Sequence, residues 1–496
     1  MFSKVLVANR GEIAVRVIRT CRDMGIRTVA VYSDVDRTAM HVRLADEAYP
    51  IGTAPPTDSY LRIDRLVEVA KRTGCDAVHP GYGFLAENAE FAQAVADAGL
   101  AFVGPPAPVQ RSLGSKTEAR RIAASVGVPV AEGTMDPVTD IAAARVVGER
   151  VGYPILLKPA GGGGGKGMRI VRSAAELPDA WRGATGEATT AFGAPALLVE
   201  RYIEHGRHIE MQILADERGD VVWLGERDCS IQRRHQKLIE ETPGPSVDDD
   251  LRARLGEAAV RIARAAGYRN AGTCEFLVAP DGMFVFLEVN TRLQVEHPVT
   301  EAVTGLDLVA LQLRVAAGEP LPFRQDQVER RGAAIECRVT AEDPAAGFLP
   351  TAGRVDPLRL PTGPKLRVDS ALEPGTWVPN DYDPLIAKVI AYGRDRAEAI
   401  ARMRRALAET IVGGVPTTIP FHAAVLAEPD FVAGRYDTGY VAAHPDVARR
   451  EIDDGQAVAA AVVAVLAARS GAVRRAPPDG AMTPWAAAAR EGALRE

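Results

Sequence analysis

EVNTRLQVEHPVT, residues 288–300, carries more chemistry than any other stretch of this chain. Its polar residues Glu288, Asn290, Arg292, Gln294 and Glu296 stand at even positions, and Val289, Leu293 and Val295 at odd ones. Side chains of an extended chain alternate between faces with period two. The five polar groups would then share a face, where two carboxylates, an amide and a guanidinium can hold a metal and an anion together. An amphipathic edge strand fits the same pattern, so the preceding residues matter. Residues 273–278 and 284–288 bracket Ala279-Pro280-Asp281-Gly282, and Asp-Gly between apolar runs signals a hairpin. With Asp281 and Gly282 central, Pro280 faces Met283 and Glu275 faces Glu288. Like charges directly opposite destabilise a hairpin. At roughly 4 Å and an effective dielectric near 20, the repulsion is about 4 kcal/mol. A solvated face or a protonated carboxyl would relieve it. Beside Phe276, Phe284, Phe286 and Leu287, a bound divalent cation is the simplest relief. Oxygen ligands Glu275, Glu288 and Asn290, with no nearby His or Cys, suit Mg²⁺ or Mn²⁺.

The chain has 496 residues, enough for two to four domains. Charged residues are 25% and hydrophobic ones 47%, an ordinary globular composition. The net charge of −6 gives no support for bulk binding to nucleic acid or anionic membrane. Five scattered cysteines, none at zinc or redox spacing, fit buried free thiols in a reducing cytoplasm. The first ten residues lack the apolar region of a signal peptide, and the longest apolar run, 457–468, is too short to span a bilayer.

Residues 4–115 alternate strands (5–8, 28–32, 77–79, 101–103) with helices (11–24, 61–73, 90–98). This implies a parallel sheet with crossover helices, a Rossmann-like half. Its first turn, Ala8-Asn9-Arg10-Gly11, lacks a G-x-G-x-x-G fingerprint, which argues against a dinucleotide site. His79-Pro80-Gly81-Tyr82-Gly83-Phe84 follows a strand, where open α/β sheets place ligands, although a rigid turn with an aromatic plug is the simpler reading. Lys116 opens a helix at 117–126, with Ser115 as N-cap and Gly127 as stop. A lysine there opposes the helix dipole, which a nearby anion would offset. Five glycines, 161–165, separate strands at 155–158 and 168–171. Gly167 replaces the Ser/Thr of a Walker A loop and a strand follows, so the loop reads as the tip of a mobile hairpin closing over phosphates. Lys158 and Lys166 add charge there. Residues 229–241, CSIQRRHQKLIEE, read as a solvated basic face or an anion pocket between apolar strands. Helices are expected at 248–266 and 305–318, and a mostly β C-terminal domain with a helix at 395–409 begins near 333. Residues 449–496 are rich in Ala, Arg and Pro, with one apolar helix near 456–468; they read as a docking segment or a poorly ordered tail.

Together VANRGEIAVR (7–16), HPGYGFLAEN (79–88), GGGGGKGM (161–168), ERDCSIQRRHQK (226–237), EVNTRLQVEHPVTE (288–301) and ECRVTAEDP (336–344) resemble biotin carboxylase, the ATP-grasp subunit of acyl-CoA carboxylases, over about residues 1–447. The resemblance implies a Rossmann-like N-terminal domain (1–115), an ATP-grasp domain (116–330) with a mobile glycine-rich lid (about 132–203), a mostly β C-terminal domain (331–447) and an extension (448–496). It implies carboxylation of biotin with ATP and bicarbonate through carboxyphosphate, the first half-reaction of an enzyme such as acetyl-CoA or propionyl-CoA carboxylase in fatty acid biosynthesis. Lys116, Lys158, Gly164 and Gly165 would contact phosphates. The backbone of Glu200, Arg201, Tyr202 and Ile203 would take adenine, with Arg201 standing where lysine is expected. His208, Gln232 and His235 match nucleotide-pocket positions, and Glu275, Glu288 and Asn290 the metal ligands. Lys237, Arg292, Gln294 and Val295 match the bicarbonate site, Glu296 the general base, Arg338 the biotin-site arginine, and Tyr82 and Gly83 the biotin loop. Strict alternation is expected to fail soon after Asn290, because Arg292 must turn from the cation toward an anion. No Met-Lys-Met carrier motif occurs, so biotin is expected on a separate carrier chain, with a separate carboxyltransferase and a homodimeric carboxylase. The rival readings are another ATP-grasp ligase joining a carboxylate to an amine, which the His79 and Arg338 motifs oppose, and a non-catalytic nucleotide-binding regulator.

Overall fold

A computed structural model describes residues 1–160, 167–193 and 195–448. Gly164, Gly165 and Lys166, and the helix expected near 456–468, lie outside the described residues. The N-terminal segment forms a five-stranded parallel sheet in the order Glu47–Gly52, Arg27–Ser33, Lys4–Val7, Ala77–His79, Ala101–Phe102. Val5, Leu6 and Val7 are fully buried because helices cover both faces of such a sheet. The Asn9 and His79 loops both lie at strand ends of this sheet, and Asn9 Nδ2 donates to the carbonyls of Pro80 (2.7 Å) and Tyr82 (2.8 Å). A Cβ on Gly81 would stand 2.8 Å from that nitrogen, so only glycine fits there.

A second sheet of eight antiparallel strands carries most of the polar residues singled out above. Its order is Phe284–Asn290, Asn270–Val278, Arg207–Ala215, Val221–Arg233, Gln236–Thr242, Ala333–Thr340, Leu385–Gly393, Leu366–Ser370. The last three strands come from the C-terminal segment. Ile239 pairs with Cys337 and Glu240 with Glu336, so that segment continues the sheet rather than building a separate one. A three-stranded sheet, Arg169–Val171, Ile155–Pro159 and Leu197–Arg201, lies in the segment expected as the lid and packs around a core that includes Leu157, Val171, Trp181 and Val199. Among the described residues, no helix is long and apolar enough to cross a membrane.

The 270–290 hairpin differs from the sequence expectation in one instructive way. Glu275 does face Glu288, but Met283 faces Ala279, not Pro280; Ala279 N donates to Met283 O at 2.8 Å. The loop is one residue longer than a two-residue turn, with Gly282 at φ +80° supplying the left-handed position. Phe276 pairs with Phe286, and the register then slips at Leu287, so that Glu275 meets Glu288. Leu287 is the extra residue of a β-bulge. Without it, Phe286 and Glu288, two apart, would share a face. The bulge leaves Phe286 in the core with Phe276 and sends Glu288 to the opposite face with Glu275.

The strand ends at Asn290, where alternation was expected to fail. A helix the sequence pattern did not disclose, His297–Thr304, follows the turn. The next helix is Leu308–Ala316, shorter than expected at 305–318, because Asp307 caps it by accepting from Ala310 N at 2.8 Å.

Candidate active site

Glu288, Glu275 and Glu210 occupy directly opposed positions on three adjacent strands, with Arg227 next in the row. Opposed residues of antiparallel strands share a face, so three carboxylates line up across the sheet. Lys237, from the neighbouring hairpin, reaches into this row. Its Nζ lies 2.5 Å from Glu210 Oε2, 2.8 Å from Glu275 Oε1 and 2.8 Å from Glu296 Oε1. Burial alone would lower the lysine; Glu210, Glu275 and Glu296 outweigh it and hold the ammonium well above the usual range. Burial alone would likewise raise Glu275, but Lys237 and His208 hold its carboxyl far below the ordinary value. Glu288 goes the other way: burial, then repulsion from Glu275, raises its carboxyl. Glu288 is therefore the member of the pair that still calls for a cation.

His208 Nε2 sits 2.9 Å from Glu275 Oε2, and Asn290 Nδ2 donates to Glu275 Oε1 at 2.8 Å. The absence of a nearby His or Cys, read from local sequence, is thus corrected: strand pairing brings His208 in from 67 positions away, and Cys274, next to Glu275, turns its thiol into the core toward Ala259 O. The oxygens of Glu275, Glu288 and Asn290 still fit a hard divalent cation, which would displace the donors now on Glu275.

Beyond Asn290 the chain is pinned by Glu87, a residue inside the HPGYGFLAEN stretch that sequence reasoning did not single out. Glu87 accepts from Thr291 N at 2.8 Å and pairs with Arg292 Nε at 3.0 Å. Arg292 Nη1 donates to Gln294 Oε1 at 3.0 Å, and Gln294 Nε2 reaches Glu275 at 3.4 Å. Glu296 is fully buried between two cations: Lys237 on Oε1 and Arg338 Nη2 on Oε2, the latter at 2.8 Å. Burial is again outweighed, here by Lys237, Arg338 and Arg227, and the carboxyl lies well below its usual range. Arg338 also holds Glu240 Oε1 at 2.5 Å, while His422 Nε2 and Thr418 Oγ1 bond its carbonyl at 2.6 and 3.0 Å. Glu210 and Glu240 were missed too; alternation of His208, Glu210 and Gln212 with Ile209, Met211 and Ile213 was the available signal for the first.

A cluster of cationic side chains lies beside Glu288 and Glu200. Lys158 and Arg120 both pair with the buried carboxylate of Glu200. Lys116 stands at the start of helix Lys116–Ser125, with Ser115 as its cap as expected. Burial lowers the Lys116 ammonium against the pull of Glu288 and Glu200. Burial, then His208, Lys158 and Lys116, lower His235. These groups converge where a polyphosphate would be favoured. His235 and Arg234 occupy a two-residue hairpin turn at φ +66° and +48°, a strained conformation for such residues. Gln232, just before that turn, is buried opposite Lys237. In the lid, Arg201 N donates to Glu132 O and Tyr202 N to Pro154 O at 2.7 and 2.9 Å. Neither donor is free for adenine, so the expected backbone contact narrows to the rest of 200–203.

Three family profiles match in sequence: "Biotin carboxylase, N-terminal domain" over 1–109, "Carbamoyl-phosphate synthase L chain, ATP binding domain" over 115–324, and "Biotin carboxylase C-terminal domain" over 336–443. Biotin carboxylase 1 of Bacillus subtilis is 50% identical over 442 residues, 89% of this chain and 98% of that protein. The chain belongs to the biotin carboxylase family. The biotin carboxylase of a Nostoc species is also 50% identical, over 440 residues that cover 89% of this chain and 98% of that protein. Among solved structures, this biotin carboxylase resembles the biotin carboxylase domain dimer of Hydrogenobacter thermophilus 2-oxoglutarate carboxylase, in complex with MgADP, ADP and bicarbonate, at TM-score 0.88 and 45% identity over 91% of this chain and 99% of that one. The Campylobacter jejuni biotin carboxylase, in a β,γ-ATP complex, gives TM-score 0.87 at 42% identity over 90% and 99%.

Proposed function

We propose a division of labour among these residues for the ATP-dependent carboxylation of biotin with bicarbonate. Lys116 and Lys158 take the phosphates, and His208, Gln232 and His235 line the nucleotide pocket. Glu275, Glu288 and Asn290 hold Mg²⁺ or Mn²⁺, which when bound neutralises charge on the transferring phosphoryl group. Lys237 and Arg292, with Gln294 and Val295, hold bicarbonate in line with that group, so much of the rate comes from positioning. Glu296 removes the bicarbonate proton. Bicarbonate then attacks the γ-phosphorus with ADP as the leaving group. The resulting carboxyphosphate releases CO₂ and phosphate beside biotin, the phosphate takes the ureido proton, and Arg338 stabilises the ureido anion that attacks CO₂.

The observation that carries this reading is the placement of Glu296, shared between Lys237 at 2.8 Å and Arg338 at 2.8 Å. One carboxylate joins the cation of the bicarbonate site to that of the biotin site. While both cations hold it, Glu296 is a poor base; substrates that draw Lys237 and Arg338 toward themselves return its basicity.

Domains at 1–115, 116–330 and 331–447 are part of the proposal, as are a homodimer, a cytoplasmic setting, and a biotin carrier and carboxyltransferase on separate chains. The alpha chain of the mitochondrial methylcrotonoyl-CoA carboxylase of Arabidopsis thaliana and the mitochondrial pyruvate carboxylase of Mus musculus match at 48% and 50% identity over 89% and 90% of this chain, which are 60% and 38% of those longer proteins. That similarity supports a first half-reaction common to acyl-CoA and pyruvate carboxylases, with the acceptor chosen elsewhere. ADP release from ATP is expected to require bicarbonate and to rise with free biotin. A chelator should stop it and added Mg²⁺ or Mn²⁺ restore it. Release indifferent to biotin would count against the reading.

A further inference from the structure

Lys388 lies in strand Leu385–Gly393 directly opposite Arg338, so the two cations share one face of the sheet. Its side chain is fully buried. Groups from four other segments surround the ammonium. Nζ donates to Val295 O at 2.9 Å, and pairs with Glu12 Oε1 at 3.3 Å and Asp369 Oδ2 at 3.8 Å. It also stands 5.6 Å from the centre of the Tyr82 ring, within cation–π range. Glu12, from the VANRGEIAVR stretch, is itself buried, and neither of its oxygens has a hydrogen-bond partner among the described residues. Burial raises its carboxyl to about 7 against the pull of Lys388.

The division of labour above uses neither Lys388 nor Glu12. Apolar residues of the same volume often replace a buried ion pair at no loss of stability, so stability alone does not explain an ammonium here. Its position does. Val295 lies between Gln294 and Glu296 in the bicarbonate turn, and its carbonyl orients the peptide unit from which Glu296 projects. Tyr82 belongs to the biotin loop. We propose that Lys388, held by Glu12, is the positioning residue that ties the bicarbonate turn to the biotin loop, setting both substrate walls from one buried cation. The proposal rests on reading Val295 and Tyr82 as bicarbonate and biotin contacts.

The test uses the full-length chain with free biotin. The unaltered protein must first show bicarbonate-dependent ADP release stimulated by biotin; failure there sinks the activity reading, whatever Lys388 does. Given that activity, Lys388→Met keeps an unbranched side chain one atom shorter and removes its charge, and the unpaired Glu12 can take up a proton. Its KM for bicarbonate and its KM for biotin are each expected to rise about tenfold, with ATP affinity within about twofold, since displacement of a substrate wall by ~1 Å can cost up to ~10²-fold. Unchanged KM values, or a loss of ATP affinity equal to theirs, overturn the proposal. Should Lys388→Met not fold, Glu12→Gln carries the test. It loosens the ammonium without deleting it, and the same split is expected at about threefold. A uniform loss across all three substrates, or no change in any, overturns the proposal there too.

Discussion

Glu296→Gln is expected to lower biotin-dependent turnover by about 10³-fold, within the range a general base contributes, and to leave ATP affinity within about twofold. A carboxamide cannot accept the bicarbonate proton. Its oxygen can serve Lys237 or Arg338, but its NH₂ group then faces the other cation, so the geometry of both substrate sites suffers as well. The lysines proposed for the phosphates lie apart from this pair: Lys158 engages Glu200, and Lys116 feels Glu288 and Glu200 rather than Glu296. Steady-state kinetics together with equilibrium ATP binding separate the two effects. Near-normal turnover would remove Glu296 as the base.

Lys237→Met should abolish turnover and also unsettle the fold. One ammonium now serves Glu210, Glu275 and Glu296, all buried. Removing one partner of a buried ion pair costs about 3–5 kcal/mol, although Arg227, His208 and Arg338 still offset part of that charge. The pH response distinguishes this cause from a packing defect. In the unaltered protein, Glu275 and Glu296 have folded-state values below the unfolded reference of about 4.3. Their stabilisation is complete above that reference and is lost as pH falls through the lower, folded values. Without Lys237 these carboxyls rise toward the reference, because burial is then opposed by fewer cations. The variant then has less of this stabilisation to lose at low pH. Thermal midpoints should therefore fall more steeply for the unaltered protein than for the variant as pH drops below about 4.3, and Mg²⁺ should recover part of the loss at neutral pH. Parallel slopes would show that the charges are not the reason.

The opposed pair Glu275 and Glu288 was legible because period-two patterning and an Asp-Gly turn are local signals. The inferred pairing was right through two offsetting departures, a longer loop and the Leu287 bulge, neither of which apolar patterning shows. The end of the strand at Asn290 agrees with the expectation that alternation fails there for Arg292 to turn toward an anion. His208 and Glu210 could not be placed beside Glu275, because strand order depends on long-range packing rather than on spacing. Glu240 and Glu336 belong to polar-looking runs, yet both are fully buried and opposed across a strand pair. A single sequence gives no sign that such a run lies inside a sheet.

The pairing of Gln236–Thr242 with Ala333–Thr340 bears on how this chain can be divided. The sequence profiles break between 324 and 336, and that gap looks like a natural place to cut. A fragment ending there would keep Gln236–Thr242 as a bare sheet edge, its N–H and C=O groups unpaired along one side. Such an edge is a template for strand addition by any other chain. Fragments made at this gap should therefore aggregate when expressed alone and gain solubility when the two halves are produced together, each covering the other's exposed edge.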